Sequence, residues 1–287
     1  MNEIILNFNS ENQEFYINHS KFDQLNFREM SQDLFNKDSS HLIIKNYIDK
    51  DNHHIIIRNF EKNSSKISSK IVQFTNLFGT PLIQNKLGQK FVTIKPNIKL
   101  IKKRKKDKDI KLRYHQTNAG GAIHSDGPQL ATPPKYVIMG CIRQADSGGS
   151  SIVTSAKKIF YFLKKKRPDV LKILKKDFFF ERRGFNYSNQ NILRSPIFIK
   201  KDNVFKFRYL REYIEAAYII KKIGLTKKEI EAFNLLDSLL INKRFQNNYK
   251  LNQGDIVILN NTHLAHGRSS FKINSSKQRS LMRVWIK

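Results

Sequence analysis

The chain has 287 residues, 39% hydrophobic and 11% aromatic, and its 53 Lys and Arg against 24 Asp and Glu give a net charge of +29. This length and apolar content exclude a disordered chain and suffice for one large domain or two small ones. No apolar run is long enough to cross a bilayer, and the first residues lack the basic-then-apolar order of a secretory signal.

Seven segments have the β-branched and aromatic residues typical of strands. They are residues 4–8, 54–58, 91–95, 136–142, 204–209, 255–260 and 280–286. Strands and helices do not alternate as βαβ units require. No repeat and no Gly/Ser- or Pro-rich linker divides the sequence. We therefore predict one domain over residues 1–287, mainly β with helical insertions (α+β), built as an antiparallel sandwich or jelly roll with covering helices.

Two helices are predicted between these strands. In the first, Ser65 is a candidate N-cap for a buried face made of Ile67, Ile71, Phe74 and Phe78, and Gly79 and Pro81 follow it. In the second, Thr226 and Glu229 have the spacing of a capping box, and the predicted buried face consists of Ile230, Phe233, Leu236 and Leu240.

The basic run at residues 101–113 is typical of a solvated loop, with a lid or an anion-steering loop as the alternative. The high charge raises the question of nucleic acid. Much of the excess, however, is lysine scattered among Asn and Ile, a pattern that a compositionally biased genome explains. We therefore predict no nucleic-acid partner. Cys141 is the only cysteine, which suits a reducing compartment and predicts a cytoplasmic protein.

A candidate metal site lies in the segment GGAIHSDGPQL, where His124 and Asp126 are two residues apart. On an extended backbone both side chains project from the same face. One imidazole and one carboxylate, completed by a distant imidazole, form the facial triad that leaves open positions on iron(II). A surface turn is the alternative for this short polar motif beside glycine.

The third ligand has two candidates, His263 and His266, which lie three residues apart after a predicted strand. His115, before the glycine pair, is a further histidine that either lines the pocket or is satisfied by a hydrogen bond.

Two arginines, Arg279 just before the last predicted strand and Arg283 within it, are in phase with Leu281 and Trp285 and are predicted to point to the same face. A planar guanidinium binds a carboxylate with two parallel hydrogen bonds, as the distal carboxylate of 2-oxoglutarate would allow. For Arg283 the alternatives are a substrate anion and an acidic side chain of the protein itself.

Three segments together resemble the TauD/TfdA family of iron(II)- and 2-oxoglutarate-dependent dioxygenases, with features of its clavaminate synthase-like branch. They are LFGTPLIQNKLGQKFVTIKPN, IHSDGPQLATPPKYVIMGCIRQADSGGSS, and HGRSSF followed by RSLMRVW. The resemblance extends over most of the chain. It implies a jelly-roll core and an enzyme that couples oxidative decarboxylation of 2-oxoglutarate by O2 to oxidation of a substrate C–H bond.

The resemblance also implies roles for individual residues. His124, Asp126 and His266 would ligate Fe(II), which favours His266 over His263 as the third ligand. Arg279 would bind the distal carboxylate of 2-oxoglutarate.

Four further assignments come from the same resemblance. Ser151 stands where many relatives carry the threonine of a Gly-Gly-x-Thr turn that contacts the cosubstrate. Arg283 would anchor a substrate carboxylate. The segment FKFRYLREY, with Arg208 and Arg211, resembles a stretch that approaches the substrate in relatives. The predicted partner is a small anionic or amino-acid-like substrate.

Two other functions are open. A nucleic-acid oxygenase of the AlkB type would use the same metal and cosubstrate and would account for the charge, but its two histidines lie closer in sequence and its arginine pattern differs from RSLMR. A jelly-roll binding protein without a metal would lack the complete triad.

Overall fold

Two main β-sheets with helices around them form the structure, which is a computed structural model. It describes residues 4–9, 14–18, 48–49, 54–61, 63, 65–107, 116–121, 123–184, 191–273 and 278–287. The strands are β1 Ile4–Asn9, β2 Glu14–Asn18, β3 His54–Arg58, β4 Phe91–Ile94, β5 Tyr136–Arg143, β6 Ser151–Ser155, β7 Asp177–Glu181, β8 Ile192–Pro196, β9 Phe198–Lys201, β10 Val204–Phe207, β11 Gln246–Tyr249, β12 Ile256–Asn260, β13 Leu264–Arg268 and β14 Ser280–Ile286. The helices are α1 Ile67–Phe78, α2 Ile98–Lys106, α3 Ala156–Lys166, α4 Pro168–Leu174, α5 Arg211–Ile220 and α6 Lys227–Leu240. Within these described ranges, no helix combines the length and apolar character that a membrane crossing requires.

The larger sheet has the strand order β2-β1-β3-β12-β5-β14-β4, and the smaller has the order β11-β6-β13. All neighbouring strands in both sheets are antiparallel except β1 and β3. Two hairpins, β7–β8 and β9–β10, form separate pairs. The expected combination of antiparallel sheets and inserted helices is confirmed.

The two sheets share a hydrophobic interior because alternate residues of each strand point to opposite faces. Val137, Val257 and Trp285 of the larger sheet face Val153 and Leu264 of the smaller one. The residues that alternate with those of the larger sheet point to the opposite face of that sheet and pack against α1. Placing the small sheet on one face and α1 on the other buries both faces of the central strands.

Helix α1 presents the predicted face, and Ile67, Ile71, Phe74 and Phe78 are all buried. Its predicted cap is wrong. The N-cap residue is Lys66, which makes no side-chain capping bond. Instead, the carbonyl of Asn63 accepts from the backbone N–H groups of Lys66 and Ile67, and the Asn63 side chain accepts from Ser65. The Asn63 carbonyl therefore satisfies the Ile67 N–H, one of the groups that an N-cap at Ser65 would serve, and the Ser65 hydroxyl donates to Asn63 Oδ1 instead.

Helices α3 to α6 and the two hairpins enclose a further hydrophobic cluster. The capping box of α6 is confirmed, since the Thr226 side chain accepts from the Glu229 N–H and Glu229 bonds back to the Thr226 N–H. Phe233, Leu236 and Leu240 are buried as predicted, but Ile230 is 40% exposed. Ile230 lies in the first turn of α6 and does not reach the cluster.

The basic run is not a loop throughout, because α2 covers residues 98–106 and has no buried residue. The Asn97 side chain caps the helix by accepting from the Leu100 N–H. Four basic residues in the last turn stabilise the helix by their attraction to the negative end of its dipole. The described part of the run is thus a solvated helix. Residues 108–113 of the run lie outside the described ranges.

The predicted strands all exist, with ends that differ by at most two residues. The segment predicted to end at Tyr209 ends at Phe207. There the Arg208 N–H bonds to the Ile197 carbonyl and the Tyr209 N–H bonds to the Ser125 hydroxyl. The chain leaves its hairpin at this point to join the metal motif.

Candidate metal centre

His124 and His266 are held side by side by the backbone. The His124 N–H donates to the His266 carbonyl at 3.0 Å, and the His266 N–H donates back to the His124 carbonyl at 2.7 Å. His266 lies within β13, where it pairs with Val153 of β6. The smaller sheet thus positions one histidine, which in turn positions the segment that carries the other.

Asp126 is held by Asn261, a residue that the sequence analysis did not single out. The Asp126 N–H donates to Asn261 Oδ1 at 2.7 Å, and Asn261 Nδ2 donates to the carbonyls of Asp126 and Pro134 at 2.9 Å. Gly127 follows with φ +64, and an added Cβ would lie 2.7 Å from the Pro134 ring. Only glycine therefore makes this turn without strain. A buried asparagine just after a strand was the available signal for Asn261.

The three side chains converge as the two-residue spacing predicted. His124 Nε2 lies 3.9 Å from Asp126 Oδ1, and His266 Nε2 lies 3.7 Å from Asp126 Oδ2. One candidate ligand atom from each residue lies within 4.8 Å of the others. Two imidazoles and one carboxylate at this separation are the donor set that holds iron(II) with open positions.

Buried polar atoms and charges also fit a cation at this site. Asp126 Oδ2 and His266 Nδ1 are buried and make no hydrogen bond in the described part of the chain. Burial opposes the charged carboxylate, but Arg283, His266 and His124 nevertheless hold the pKa of Asp126 below its usual range. Burial lowers the pKa of His266 to about 4. At neutral pH the site thus offers an anionic carboxylate and a neutral imidazole, the forms that ligate metals.

His263, the rival ligand, is placed elsewhere. Its Nδ1 lies 2.9 Å from the Thr262 hydroxyl, and its ring packs 5.3 Å from the ring of Phe205. Among the described residues, the metal-binding group contains His266 and not His263. The geometry agrees with the choice made on resemblance. His115 lies outside the described ranges.

Arg283 touches the metal motif directly. Its Nη1 donates to Asp126 Oδ1 at 2.8 Å, its Nε donates to Gln84 Oε1 at 2.8 Å, and its guanidinium lies 4.9 Å from the Trp285 ring centre. Of the two sequence alternatives, pairing with an acidic side chain of the protein is therefore realised. Nη2 makes no hydrogen bond within the described ranges. A substrate-binding role for Arg283 would use that nitrogen.

Arg279 is 3% exposed and packs on the Gly-Gly turn. Its Nε donates to Gln144 Oε1 at 3.0 Å, and its guanidinium lies 5.6 Å from the Phe271 ring centre. Gly149 has φ +73, and an added Cβ would lie 3.1 Å from Arg279 Nε. Ser151 is buried at the start of β6, two residues after this glycine. The structure thus brings the turn and the predicted cosubstrate arginine together.

Two buried arginines, Arg268 and Arg208, hold the backbone on either side of the metal motif. Arg268 donates to the carbonyls of Thr117 at 2.6 Å and Ala119 at 2.7 Å, before the motif. Arg208 donates to carbonyls at positions 128, 130 and 131, after it. Burial lowers the pKa of Arg208 to about 10. Both guanidinium groups therefore brace the loop that carries the candidate ligands.

The predicted substrate contacts of Arg208 and Arg211 receive no support from this geometry. Arg208 donates to backbone carbonyls, and Arg211 pairs with Glu215 and Asp237 at 2.7 and 2.8 Å. The Tyr209 hydroxyl also donates to Asp237, at 2.7 Å. A substrate role for either arginine stays a prediction.

A mostly apolar cavity of about 360 Å³ lies beside the segment that carries Gln84. It is lined by residues 81–83, Lys90 and residues 130–132, and by none of the three candidate ligands. Its walls are the two loops that Gln84 and Arg208 hold in place.

Similar proteins have been found by sequence and by structure. FR-33289 synthase from Streptomyces rubellomurinus (strain ATCC 31215) is 28% identical over 216 residues, covering 72% of this chain and 60% of that protein. Human gamma-butyrobetaine dioxygenase is 26% identical over 166 residues, covering 56% of this chain and 42% of that protein. The chain thus spans about half the length of these curated relatives.

Solved structures share the fold at low identity. Asparagine oxygenase in complex with Fe(II), 2S,3S-3-hydroxyasparagine and succinate matches with a TM-score of 0.69 at 14% identity, covering 86% of this chain and 79% of that one. The non-heme iron oxygenase OrfP in complex with Fe and alpha-ketoglutaric acid matches with a TM-score of 0.62 at 14% identity, with the same coverage. The model of the "Taurine catabolism dioxygenase TauD, TfdA family" matches residues 50–285, and the chain therefore belongs to that family.

Proposed function

We propose that this protein is an iron(II)- and 2-oxoglutarate-dependent dioxygenase that hydroxylates a small anionic or amino-acid-like substrate. The observation that carries the proposal is the buried cluster of His124, Asp126 and His266, found in a chain of this family. Bound iron would activate O2 and couple conversion of 2-oxoglutarate to succinate and CO2 with oxidation of a substrate C–H bond.

The chain's own residues would bind and orient the reactants. His124, Asp126 and His266 would hold the metal, and Asn261 keeps Asp126 in place through its backbone. Arg279 would bind the distal carboxylate of 2-oxoglutarate, since a guanidinium matches a carboxylate with two parallel hydrogen bonds. The Ser151 hydroxyl would contact the same cosubstrate.

The two facing sheets would form the jelly-roll core of a single domain over residues 1–287. The shared interior between the larger and the smaller sheet supports this assignment, as does the likeness to the solved oxygenases. One family model that matches residues 50–285 also supports a single domain. The cytoplasmic location expected from the single cysteine stays a prediction, and Cys141 itself is buried.

Amino-acid-like substrates are favoured because of what similar proteins bind. The matched structures include asparagine oxygenase with hydroxyasparagine and OrfP with (3S)-hydroxy-L-Arg. The family match favours this function over an AlkB-type nucleic-acid oxygenase. The intact cluster argues against a metal-free binding protein.

The proposal is tested by loading the protein anaerobically with Fe(II) and adding 2-oxoglutarate and O2. Succinate is expected to form with one bound iron per chain, and small carboxylates and amino acids that fit the site should stimulate it. A protein that binds no iron and forms no succinate above the level of free Fe(II) would contradict the proposal.

A carboxylate on the primary substrate is expected to be necessary for coupled turnover. Arg283 Nη2 faces no partner in the described chain, and a charged donor in a partly buried site selects an anion over a neutral analogue. Each stimulating compound should therefore lose most of its effect, about tenfold or more, as its amide or ester. The measurement is O2 consumed against hydroxylated product. Equal coupling with the acid and its amide would refute an anionic substrate.

A further inference from the structure

We propose that Gln84 is a positioning residue that sets the orientation of Arg283, and through it the Asp126 carboxylate. The contact between Arg283 and Asp126 joins β14 to the metal motif. Gln84 contacts the other side of the Arg283 guanidinium, at Nε. The inference rests on the proposed function only for its catalytic consequence, because the contact itself belongs to the protein without metal or cosubstrate.

The Gln84 carboxamide has one possible orientation. The residue is 4% exposed, and its Nε2 donates to the carbonyls of Lys90 and Arg283, both at 2.8 Å. A flipped amide would point its oxygen at two carbonyl oxygens and lose both bonds. Oε1 must therefore face Arg283 Nε, from which it accepts at 2.8 Å.

Gln84 consequently holds Arg283 at two points, the backbone carbonyl and the side-chain Nε. With Nε engaged and the guanidinium over Trp285, the plane of the group is set. Nη1 then reaches Asp126 Oδ1, while Oδ2 remains buried without a hydrogen-bond partner. The guanidinium thereby occupies one carboxylate oxygen and leaves the other for the metal.

The same arrangement occurs at Arg279, which directly precedes β14. Arg279 Nε donates to Gln144 Oε1 at 3.0 Å, and Gln144 Nε2 donates to the Leu251 carbonyl. In both cases the glutamine Oε1 accepts a hydrogen bond from the arginine Nε–H, and the glutamine Nε2 donates to a backbone carbonyl. The two pairs are independent, which makes each the control for the other.

The test measures, by NMR of the metal-free protein, the exchange rates of the arginine Nε–H protons. The signals of Arg283 and Arg279 are assigned from the spectra of the Arg283→Lys and Arg279→Lys variants. Gln84→Met should raise the Arg283 Nε–H exchange rate by about tenfold or more, the loss expected for one hydrogen bond of a charged donor. The Arg279 signal should stay unchanged. Gln144→Met should give the reciprocal result.

Rescue separates positioning from a purely structural role. Gln84→Glu places an oxygen beside the two carbonyls that Nε2 served, but it keeps an acceptor for Arg283 Nε and makes that hydrogen bond an ion pair, which is stronger. It should therefore preserve Arg283 protection even if the loop is destabilised. If the Gln84→Met protein does not fold, Gln84→Asn is the substitute. Its side chain is shorter by one methylene, so its oxygen lies farther from Arg283 and the Arg283 Nε–H should exchange faster. Unchanged Arg283 exchange in the folded Met or Asn variant, or exchange in the Glu variant as fast as in Met, would overturn the proposal.

The catalytic consequence is read in the iron-loaded protein as succinate formation. Gln84→Met should lower turnover by about tenfold, within the range of residues that orient a metal ligand. In an Arg283→Lys background the same change should have almost no further effect, because the residue acts through Arg283. Full additivity would overturn the inference, whereas absence of turnover in the parent protein would refute only the proposed function.

Discussion

Turnover of 2-oxoglutarate should fall to background when His124, Asp126 or His266 is replaced by alanine. Each change removes one of three protein ligands that lie within 4.8 Å of one another, and the described chain has no fourth group in the cluster to substitute for it. Bound iron should be lost together with succinate formation. Metal analysis of the purified variants and a succinate assay measure the two effects on the same samples.

The fold should survive these changes, since the contacts that join His124 to His266 and Asp126 to Asn261 involve backbone groups that alanine retains. Asp126→Asn is the matched variant, because it keeps the shape and an acceptor for Arg283. His263→Ala is the control and should retain iron and turnover. The opposite result, with His266→Ala active and His263→Ala inactive, would show the ligand assignment to be wrong.

Replacing Arg279 by lysine should raise the KM for 2-oxoglutarate by roughly ten- to a hundredfold. A point charge cannot keep the Gln144 contact and also offer two parallel hydrogen bonds to a carboxylate. Hydrogen bonds of charged groups contribute about 1.5 to 3 kcal/mol each, and about 1.4 kcal/mol corresponds to tenfold. Initial rates of succinate formation over a range of 2-oxoglutarate concentrations give this constant.

Arg283→Lys is the comparison and should affect the primary substrate more than 2-oxoglutarate. Arg283 lies against Asp126 and Gln84, whereas Arg279 lies against the Gly-Gly turn and Phe271. The two arginines thus contact different neighbours. If Arg283→Lys changes the KM for 2-oxoglutarate and Arg279→Lys does not, their roles are exchanged.

Local pattern was enough to predict the elements that frame the site. The two-residue spacing of His124 and Asp126 implies convergence because side chains alternate on an extended backbone, and the observed separation of 3.9 Å agrees. The same alternation placed Arg283 with Leu281 and Trp285. The capping box of α6 and the buried face of α1 also depend on residues within one or two turns.

Local pattern was insufficient where a neighbouring side chain or the surrounding packing favoured another arrangement. Ser65 is not a cap because its hydroxyl donates to Asn63, and Ile230 is 40% exposed although Phe233 in the next turn of α6 is buried in the hydrophobic cluster. Residues 98–106 form a helix without a fully buried residue, which a charge run alone does not distinguish from a loop. The strand that carries His266 was likewise not predicted as an element.

The sequence by itself determined the family and the pairing of His124 with Asp126, because these follow from motifs whose residues are neighbours in the chain, whereas His266 was chosen by resemblance. Only the tertiary structure decided which groups orient those donors. Gln84 and Arg283 are 199 positions apart, Gln144 and Arg279 135, and Asn261 and Asp126 135. Hydrogen bonds between such distant residues depend on strand register and loop course, and short-range periodicity does not encode either.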